Sequence, residues 1–214
     1  MMKLDFEFTG NPENAAAMAA YMRNRFEFIG LKAPERKEQS KPLLKLSSTM
    51  DLESLRQWIK TLYERDEREY QYLAIDLADK NVRRWQFSDI AYFKQFITQK
   101  SWWDSVDSWR TMFGKYIKWH LEEKQAVFDL FFGSDNFWER RVAINLQLME
   151  KGNTNLTMLT KAILADQETD EFFIQKAIGW SLRQYSKTDP AWVRHFLVAH
   201  QMSRLAVKEG SKYL

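Results

Sequence analysis

Trp103 and Asp107 are the two residues whose types and spacing best suit chemistry. They stand four positions apart, so on a helix their side chains project from the same face. An indole face attracts cations, and a carboxylate beside it can stabilise a positively charged sugar or orient a water molecule. The adjacent Trp102 would point about 100° away, so that one indole packs inward. A structural alternative stays open, in which both indoles pack and Asp107 is a surface charge or a helix cap.

Familiar catalytic motifs are missing from the sequence. The three histidines, His120, His195 and His200, lack metal-ligand spacing, and no cysteine is present to act as a nucleophile or to bind zinc. There is no Gly-rich phosphate loop, no Gly-x-Ser-x-Gly and no His-Glu-x-x-His motif. These absences disfavour a metalloenzyme, a nucleotide-dependent enzyme and a serine hydrolase, and we expect no metal and no cofactor.

The composition predicts that helices position these residues. Hydrophobic residues make up 45% of the 214 positions and aromatic residues 15%, which is typical of a globular chain. With only 7 Gly and 4 Pro, the chain has too few turn-formers for a sandwich or a barrel. No segment suits a strand, and periodicity predicts helices over 12–24, 34–41, 51–64, 65–79, 87–98, 101–113, 115–131, 136–149, 156–165, 171–185, 190–200 and 202–208.

Local signals set several of the predicted boundaries. A break is expected from Gly30 to Pro34, and the segment 39–49 is expected to be the longest connection. Side-chain caps are expected where a polar residue precedes a helical pattern, at Asn11, Asp51, Ser101, Asn136, Asp170 and Asp189.

An internal repeat underlies the fold prediction. Four helices open with similar residues, and taking Tyr72, Asp107, Arg141 and Gln175 as equivalent gives spacings of 35, 34 and 34 residues. That period suits helix-pair repeats of the HEAT or tetratricopeptide kind, which stack because no pair can bury its own apolar face. We therefore predict a single all-α domain over residues 1–214, an α-α superhelix (solenoid) with these four positions along its concave groove.

Basic residues are unevenly distributed, although the net charge is only +3. Residues 80–120 hold 8 basic and 3 acidic side chains, and residues 136–214 also have a basic surplus. Such local surfaces attract phosphate, although an ordinary solvated face stays an alternative for each residue. The candidates for contact with phosphate are Arg83, Arg84, Arg110, Lys115, Lys118, Arg140, Arg183, Lys187 and Arg194.

Several segments together are similar to the DNA alkylation-repair glycosylases of the AlkD type, which are built from HEAT-like repeats. The resemblance covers nearly the whole chain. Its segments are 21–24, 28–30, 34–37, 68–76, Trp102-Trp103-Asp104-Ser105-Val106-Asp107, Trp138-Glu139-Arg140-Arg141 and Ile178-Gly179-Trp180. The Trp-Trp-Asp-x-Val-Asp and Ile-Gly-Trp motifs together are fairly specific, whereas either alone would be weak.

This resemblance implies hydrolysis of the N-glycosidic bond of cationic N3- and N7-alkylated purines in duplex DNA, without base flipping. It assigns the acid to Asp107, the two tryptophans to Trp103 and Trp180, and a phosphate-holding arginine to Arg141. Arg140 is the neighbouring choice for that arginine.

Two other function classes stay open at this stage. The same groove could belong to a nucleic-acid-binding scaffold without catalysis, or to a protein-binding solenoid. The N-terminus lacks the apolar run of a signal peptide and no stretch is apolar enough to span a membrane. We therefore expect a cytoplasmic monomer, associated with the nucleoid when bound to DNA.

Overall fold

Capping residues define where many of the helices begin. In the computed structural model, which describes residues 4–214, a polar side chain accepts a hydrogen bond from a backbone N–H in the first turn of several helices. Among these caps are Asn11, Asp51, Asn136, Asn155 and Asp189. Such caps satisfy donors that have no partner inside the helix. The predicted caps at Asn11, Asp51, Asn136 and Asp189 are confirmed.

Within residues 4–214 the chain forms twelve α-helices and no strand, apart from one isolated bridge between Glu27 and Glu67. The all-α prediction is therefore confirmed. No helix in this part of the chain is long and apolar enough to cross a membrane. The helices are α1 (Pro12–Tyr21), α2 (Ala33–Ser47), α3 (Leu52–Glu64), α4 (Arg68–Lys80), α5 (Phe87–Phe93), α6 (Trp103–Trp119), α7 (Lys124–Phe131), α8 (Phe137–Asn145), α9 (Leu156–Ala165), α10 (Phe172–Tyr185), α11 (Pro190–Ala199) and α12 (Arg204–Gly210).

The expected long connection over 39–49 is wrong, because α2 continues to Ser47. Ser40, Leu43 and Ser47 are buried at helical spacing, whereas Pro42 lies on the exposed side. A proline inside a helix removes one backbone hydrogen bond. Here the packing of the buried face outweighs that loss.

The predicted break between residues 113 and 115 is also wrong, since α6 runs through Gly114 to Trp119. A Cβ atom on Gly114 would lie 3.1 Å from the carbonyl oxygen of Leu146. The glycine therefore marks a close approach of another backbone rather than a helix end. Two caps differ as well: Ser101 bonds to the Ile97 carbonyl instead of capping α6, and Glu171, not Asp170, caps α10.

The chain divides into two compact units, the first ending at Trp85. In the first unit α3 packs against α4, which also packs against α2. The buried carboxylate of Glu69 accepts hydrogen bonds from the backbone N–H groups of Ile29, Gly30 and Leu31 at 3.0, 2.9 and 3.0 Å. That carboxylate fixes the turn before α2. The prediction of a single domain over 1–214 stays a prediction.

The second unit, Gln86–Leu214, contains α5 to α12. In it α10 packs against both α8 and α12, while α8 also packs against α6, α7 and α9. Aromatic rings fill much of its core, with Trp109 stacked on Phe93 and Phe96 at centroid distances of 5.5 and 5.3 Å. The packing of α6, α8 and α10 places the predicted catalytic residues in this one unit.

Candidate active site

A bidentate ion pair between Asp107 on α6 and Arg141 on α8 forms the centre of the site. Arg141 Nε donates to Asp107 Oδ1 at 2.9 Å, and Nη2 donates to Oδ2 at 2.8 Å. The third nitrogen, Nη1, donates to the carbonyl of Phe173 at 2.6 Å. The Arg141 side chain is 6% exposed and that of Asp107 18%. Paired bonds of this kind fix the plane of a carboxylate as well as its position.

The local sequence explains why Asp107 faces Arg141. On α6 the side chains of Val106, Trp109 and Phe113 are fully buried, which fixes the rotation of that helix about its axis. On α8, Trp138, which precedes Arg141 in the sequence, and Val142, which follows it, are both buried. The 34-residue spacing found in the sequence thus corresponds to a direct bond between equivalent positions.

Trp180 on α10 lies beside Arg141 of this pair. The centroid of its ring lies 6.0 Å from Cζ of Arg141 and 5.6 Å from Cζ of Arg110, within the range of a cation–π contact. Its predecessor, Gly179, has no room for a side chain, since a Cβ atom would lie 2.5 Å from Glu209 Cβ and 3.0 Å from the Ala206 carbonyl oxygen. The Ile-Gly-Trp motif therefore combines a contact point for α12 with an indole directed about 100° away from it.

Glu209 on α12 holds that helix against α10. Its carboxylate accepts hydrogen bonds from Lys176 at 2.9 Å, Arg183 at 2.8 Å and Lys212 at 2.8 Å. The hydrogen bonds from Lys212 and then Lys176 lower the pKa of Glu209 to about 2. This anchor was not predicted from the sequence. A glycine in the middle of a helix costs stability, so Gly179 was the signal for a close helix contact.

Trp102 and Trp103 differ in burial, and Trp102 is the indole that packs inward. Trp102 is buried against Phe173 and Trp138, with centroid distances of 5.0 and 6.0 Å. Trp103 is half-buried, as the first residue of α6, one turn before Asp107. Its catalytic role stays a prediction.

Arg110 belongs to this cluster in a way the sequence did not indicate. It follows Asp107 by one turn of α6 and is buried, with Nε sealed from solvent and lacking a hydrogen-bond partner. Burial lowers the pKa of Arg110 to about 10, with Asp107 opposing the shift and Arg141 adding to it. The second unit therefore brings together Asp107, Arg110, Arg141 and Trp180.

Three other predicted DNA-contact residues have partners within the protein. Arg140 bonds to Asp166 at 2.9 Å and to the carbonyls of Ser134 and Asp135 at 2.8 and 2.9 Å. Arg84, in the first unit, donates to the carbonyls of Ser47 and Met50. Arg183 is the partner of Glu209 described above. Arg141 rather than Arg140 is thus the residue paired with Asp107.

The other predicted contacts, Arg83, Lys115, Lys118, Lys187 and Arg194, are exposed. Arg83 lies in the first unit and the rest in the second. Lys187 donates to Gln184 at 3.1 Å. Their contacts with DNA stay predictions.

Gln175, the fourth position of the predicted row, is buried. Its amide donates to the carbonyls of Asp166, Gln167 and Thr169 at 3.4, 3.3 and 2.8 Å. It holds the loop before its own helix, and is not part of an exposed row.

Two further features bear on the chemistry. In the part of the chain that the structure describes, no group of three or more His, Asp or Glu side chains could hold a metal ion. A cavity of about 300 Å³ in the second unit includes Ser181 and Tyr185 of α10 in its walls, but not Asp107, Arg141 or Trp180. The cluster therefore lies outside that cavity.

Comparisons with known proteins bear on the family and the fold. The family model described as DNA alkylation repair enzyme matches residues 2–214. A solved structure from Enterococcus faecalis, described as a "predicted DNA alkylation repair enzyme", is 55% identical, with 97% of this chain and 98% of that chain covered and a TM-score of 0.96. AlkD2 from Streptococcus mutans is 17% identical, with 94% and 99% covered and a TM-score of 0.68. The structure of smu.31 from Streptococcus mutans UA159 is 16% identical, with 94% and 98% covered and a TM-score of 0.68. These last two show the same all-helical fold, and no curated protein matches the chain.

Proposed function

Because this chain belongs to the DNA alkylation repair enzyme family, we propose that it is a DNA N-glycosylase. Its substrates are N3- and N7-alkylated purines in duplex DNA, and its reaction is hydrolysis of their N-glycosidic bond as the first step of base excision repair. The observation that best supports this activity is the carboxylate of Asp107, fixed by Arg141 next to the indole of Trp180 and still partly open to solvent.

The proposed reaction does not require the protein to protonate the leaving group. An alkylated purine carries a positive charge, so when the C1′–N bond breaks, the bonding pair neutralises the departing base. The sugar is left as an oxocarbenium ion, which the anionic Asp107 stabilises. A water molecule then bonds to C1′, and its proton passes through Asp107 to the bulk solvent. The products are the free alkylated base and an abasic site.

Each neighbour of Asp107 has a separate role in this proposal. Arg141 positions the carboxylate, whose remaining lone pairs face the substrate. Trp180 and Trp103 lie against the deoxyribose and backbone, where their ring faces attract the developing cation. None of these groups needs to enclose the base, so the lesion stays in the duplex without flipping. The cluster lies within one chain, and a monomer is enough for the reaction.

The direct test is release of N7-methylguanine from methylated duplex DNA under single-turnover conditions, comparing wild type with Asp107→Asn. We expect release by wild type well above spontaneous depurination, and a loss of about 100-fold or more in the variant. Binding of both proteins to a duplex with a stable abasic analogue is the control. Normal binding with no release by wild type would instead support the nucleic-acid-binding scaffold.

A further inference from the structure

Arg110 is a buried cation without a hydrogen-bond partner in the described chain. The residue is 6% exposed and lies among the core residues of α6. Within residues 4–214 its guanidinium donates no hydrogen bond and forms no ion pair, and its contact is the ring of Trp180 at 5.6 Å. Buried arginines almost always have a carboxylate or several carbonyl partners.

The burial of this charge is costly to the fold. Transfer of a charged group out of water is unfavourable unless hydrogen bonds or an opposite charge compensate. The lowered pKa of Arg110 has the same cause, since burial is its largest contribution. Because no acceptor within residues 4–214 bonds to this guanidinium, its outer N–H groups are open to a ligand.

The charges around Arg110 identify that ligand as an anion. Asp107 is the carboxylate of the cluster, and both of its oxygens are bonded to Arg141. Glu139, a buried carboxylate on α8, is paired with Lys94 at 3.1 Å. Two guanidiniums therefore share the charge of one carboxylate, which leaves the cluster with a net positive charge.

Arg110 and Arg141 also differ in how many of their N–H groups are not bonded within the protein. Arg141 uses Nε, Nη1 and Nη2 within the protein, whereas no N–H group of Arg110 is bonded within residues 4–214. The Nε of Arg110 is sealed from solvent, so its Nη1 and Nη2 groups are the ones that can meet a ligand. The resemblance to the AlkD type assigns a phosphate to the position of Arg141, but the donors there are largely committed. A guanidinium fork matches the geometry of phosphate oxygens.

We propose that Arg110 binds a backbone phosphate of the damaged strand, beside the Asp107–Arg141 pair and against Trp180. This division of work leaves Arg141 to position the catalytic carboxylate. The choice of damaged DNA as the ligand rests on the proposed function. The phosphate contact would anchor the strand so that the C1′ atom of the lesion meets Asp107.

The test is a scan of single neutral linkages. Each duplex contains a stable abasic analogue and one methylphosphonate in place of one phosphate near it, and binding is measured by fluorescence anisotropy. We expect one linkage at which the substitution weakens wild-type binding about tenfold. Arg110→Met should bind the unmodified duplex about as weakly and lose sensitivity at that linkage. Its plot of log affinity against log salt should be shallower by about one unit.

Lys208→Met is the matched control, since it removes an exposed cation of the same unit, on α12. It should keep both the wild-type affinity and the sensitive linkage. Arg110→Met should melt no lower than wild type, because it removes an uncompensated buried charge. A structural arginine would instead lower the melting temperature.

Two outcomes would overturn the proposal. One is that, at every linkage, the loss of binding free energy caused by Arg110→Met simply adds to the loss caused by the methylphosphonate. The other is wild-type affinity and salt dependence in Arg110→Met. If that variant does not fold, Arg110→Lys in the same scan tests the contact, since the loss at the linkage should then be partial. The readout of this test is binding and not base release. If Arg110 is coupled to one phosphate but wild type releases no base, the glycosylase proposal is disproved and the phosphate contact is not.

Discussion

Asp107 and Arg141 lie 34 residues apart and are joined by two parallel hydrogen bonds of 2.9 and 2.8 Å between neighbouring helices. The repeat of the fold thus brings two equivalent positions together, with a carboxylate on α6 and a guanidinium on α8. Because the guanidinium is also tied to the Phe173 carbonyl, the carboxylate has one fixed orientation. Three helices therefore determine the geometry of a single functional group.

The ion pair should act as one unit in catalysis. Arg141→Lys keeps the charge but cannot form two parallel bonds, so Asp107 loses its fixed plane. We expect single-turnover release of N7-methylguanine to fall about 10- to 100-fold, with little change in binding to abasic-analogue DNA.

A double variant checks this interpretation. If Arg141 acts through Asp107, the combination of Arg141→Lys with Asp107→Asn should be no slower than Asp107→Asn alone. Losses that multiply would mean that Arg141 contributes independently of the carboxylate.

The helix contact at Gly179 should be sensitive to a single methyl group. In Gly179→Ala the new Cβ would meet Glu209 Cβ and the Ala206 carbonyl, so α12 must move away from α10. We expect a loss of about 1–3 kcal/mol in the free energy of unfolding in urea. Gly152→Ala is the matched control, because nothing lies within 4 Å of its Cβ position. It should change stability by less than about 0.5 kcal/mol, and equal effects of the two changes would contradict the close contact.

Helix boundaries were predictable from the sequence where the signal that sets them is local. Capping side chains act within one turn, and the starts of α1, α3, α8 and α11 were predicted correctly. Whether a helix continues through Gly114 or Pro42 depends on the residues that pack against it, and the sequence near these positions does not show those residues. Both were therefore taken as ends or connections, although the helices run through them.

The site was partly predictable for the same reason. Asp107 and Arg141 share a repeat position, so periodicity aligned them before the structure showed their bond. The isolation of Arg110 had no signal, because a buried arginine without a partner looks like any basic residue in a sequence. The Glu209 anchor joins residues brought together only by the packing of α10 and α12.

Glu209 makes acid stability a further test of the α10–α12 contact. Its pKa falls from 4.5 to about 2 in the folded protein, so the folded state favours the charged form. The resulting stabilisation is complete above about pH 4.5 and is lost as the pH falls toward 2. Glu209→Gln should melt roughly 2–4 °C lower at neutral pH and show a flatter decline between pH 4.5 and 2.

Differential scanning calorimetry from pH 2 to 7 measures both effects. Glu168→Gln, at an exposed carboxylate on the same unit, is the control and should follow wild type. If Glu209→Gln followed wild type over the whole range, the carboxylate would not hold α12 in solution.

The proposed reaction should require a cationic base. In the proposed mechanism the departing purine is not protonated, and Asp107, as an anion paired with Arg141, donates no proton to it. The positive charge of the lesion is then the main activation of the leaving group. We expect wild type to release N7-methylguanine from a duplex but to leave its neutral isostere, 7-deaza-7-methylguanine, in place.

Since the proposed site does not enclose the base, a bulkier N7-alkyl cation should be released at a rate within about tenfold of the methyl adduct, whereas a closed pocket discriminates by size. Both rates are measured by mass spectrometry of the freed base, with Asp107→Asn as the background. Release of the neutral isostere would require a general acid that this cluster lacks, and strong selection against the bulky cation would mean that the base is captured after all.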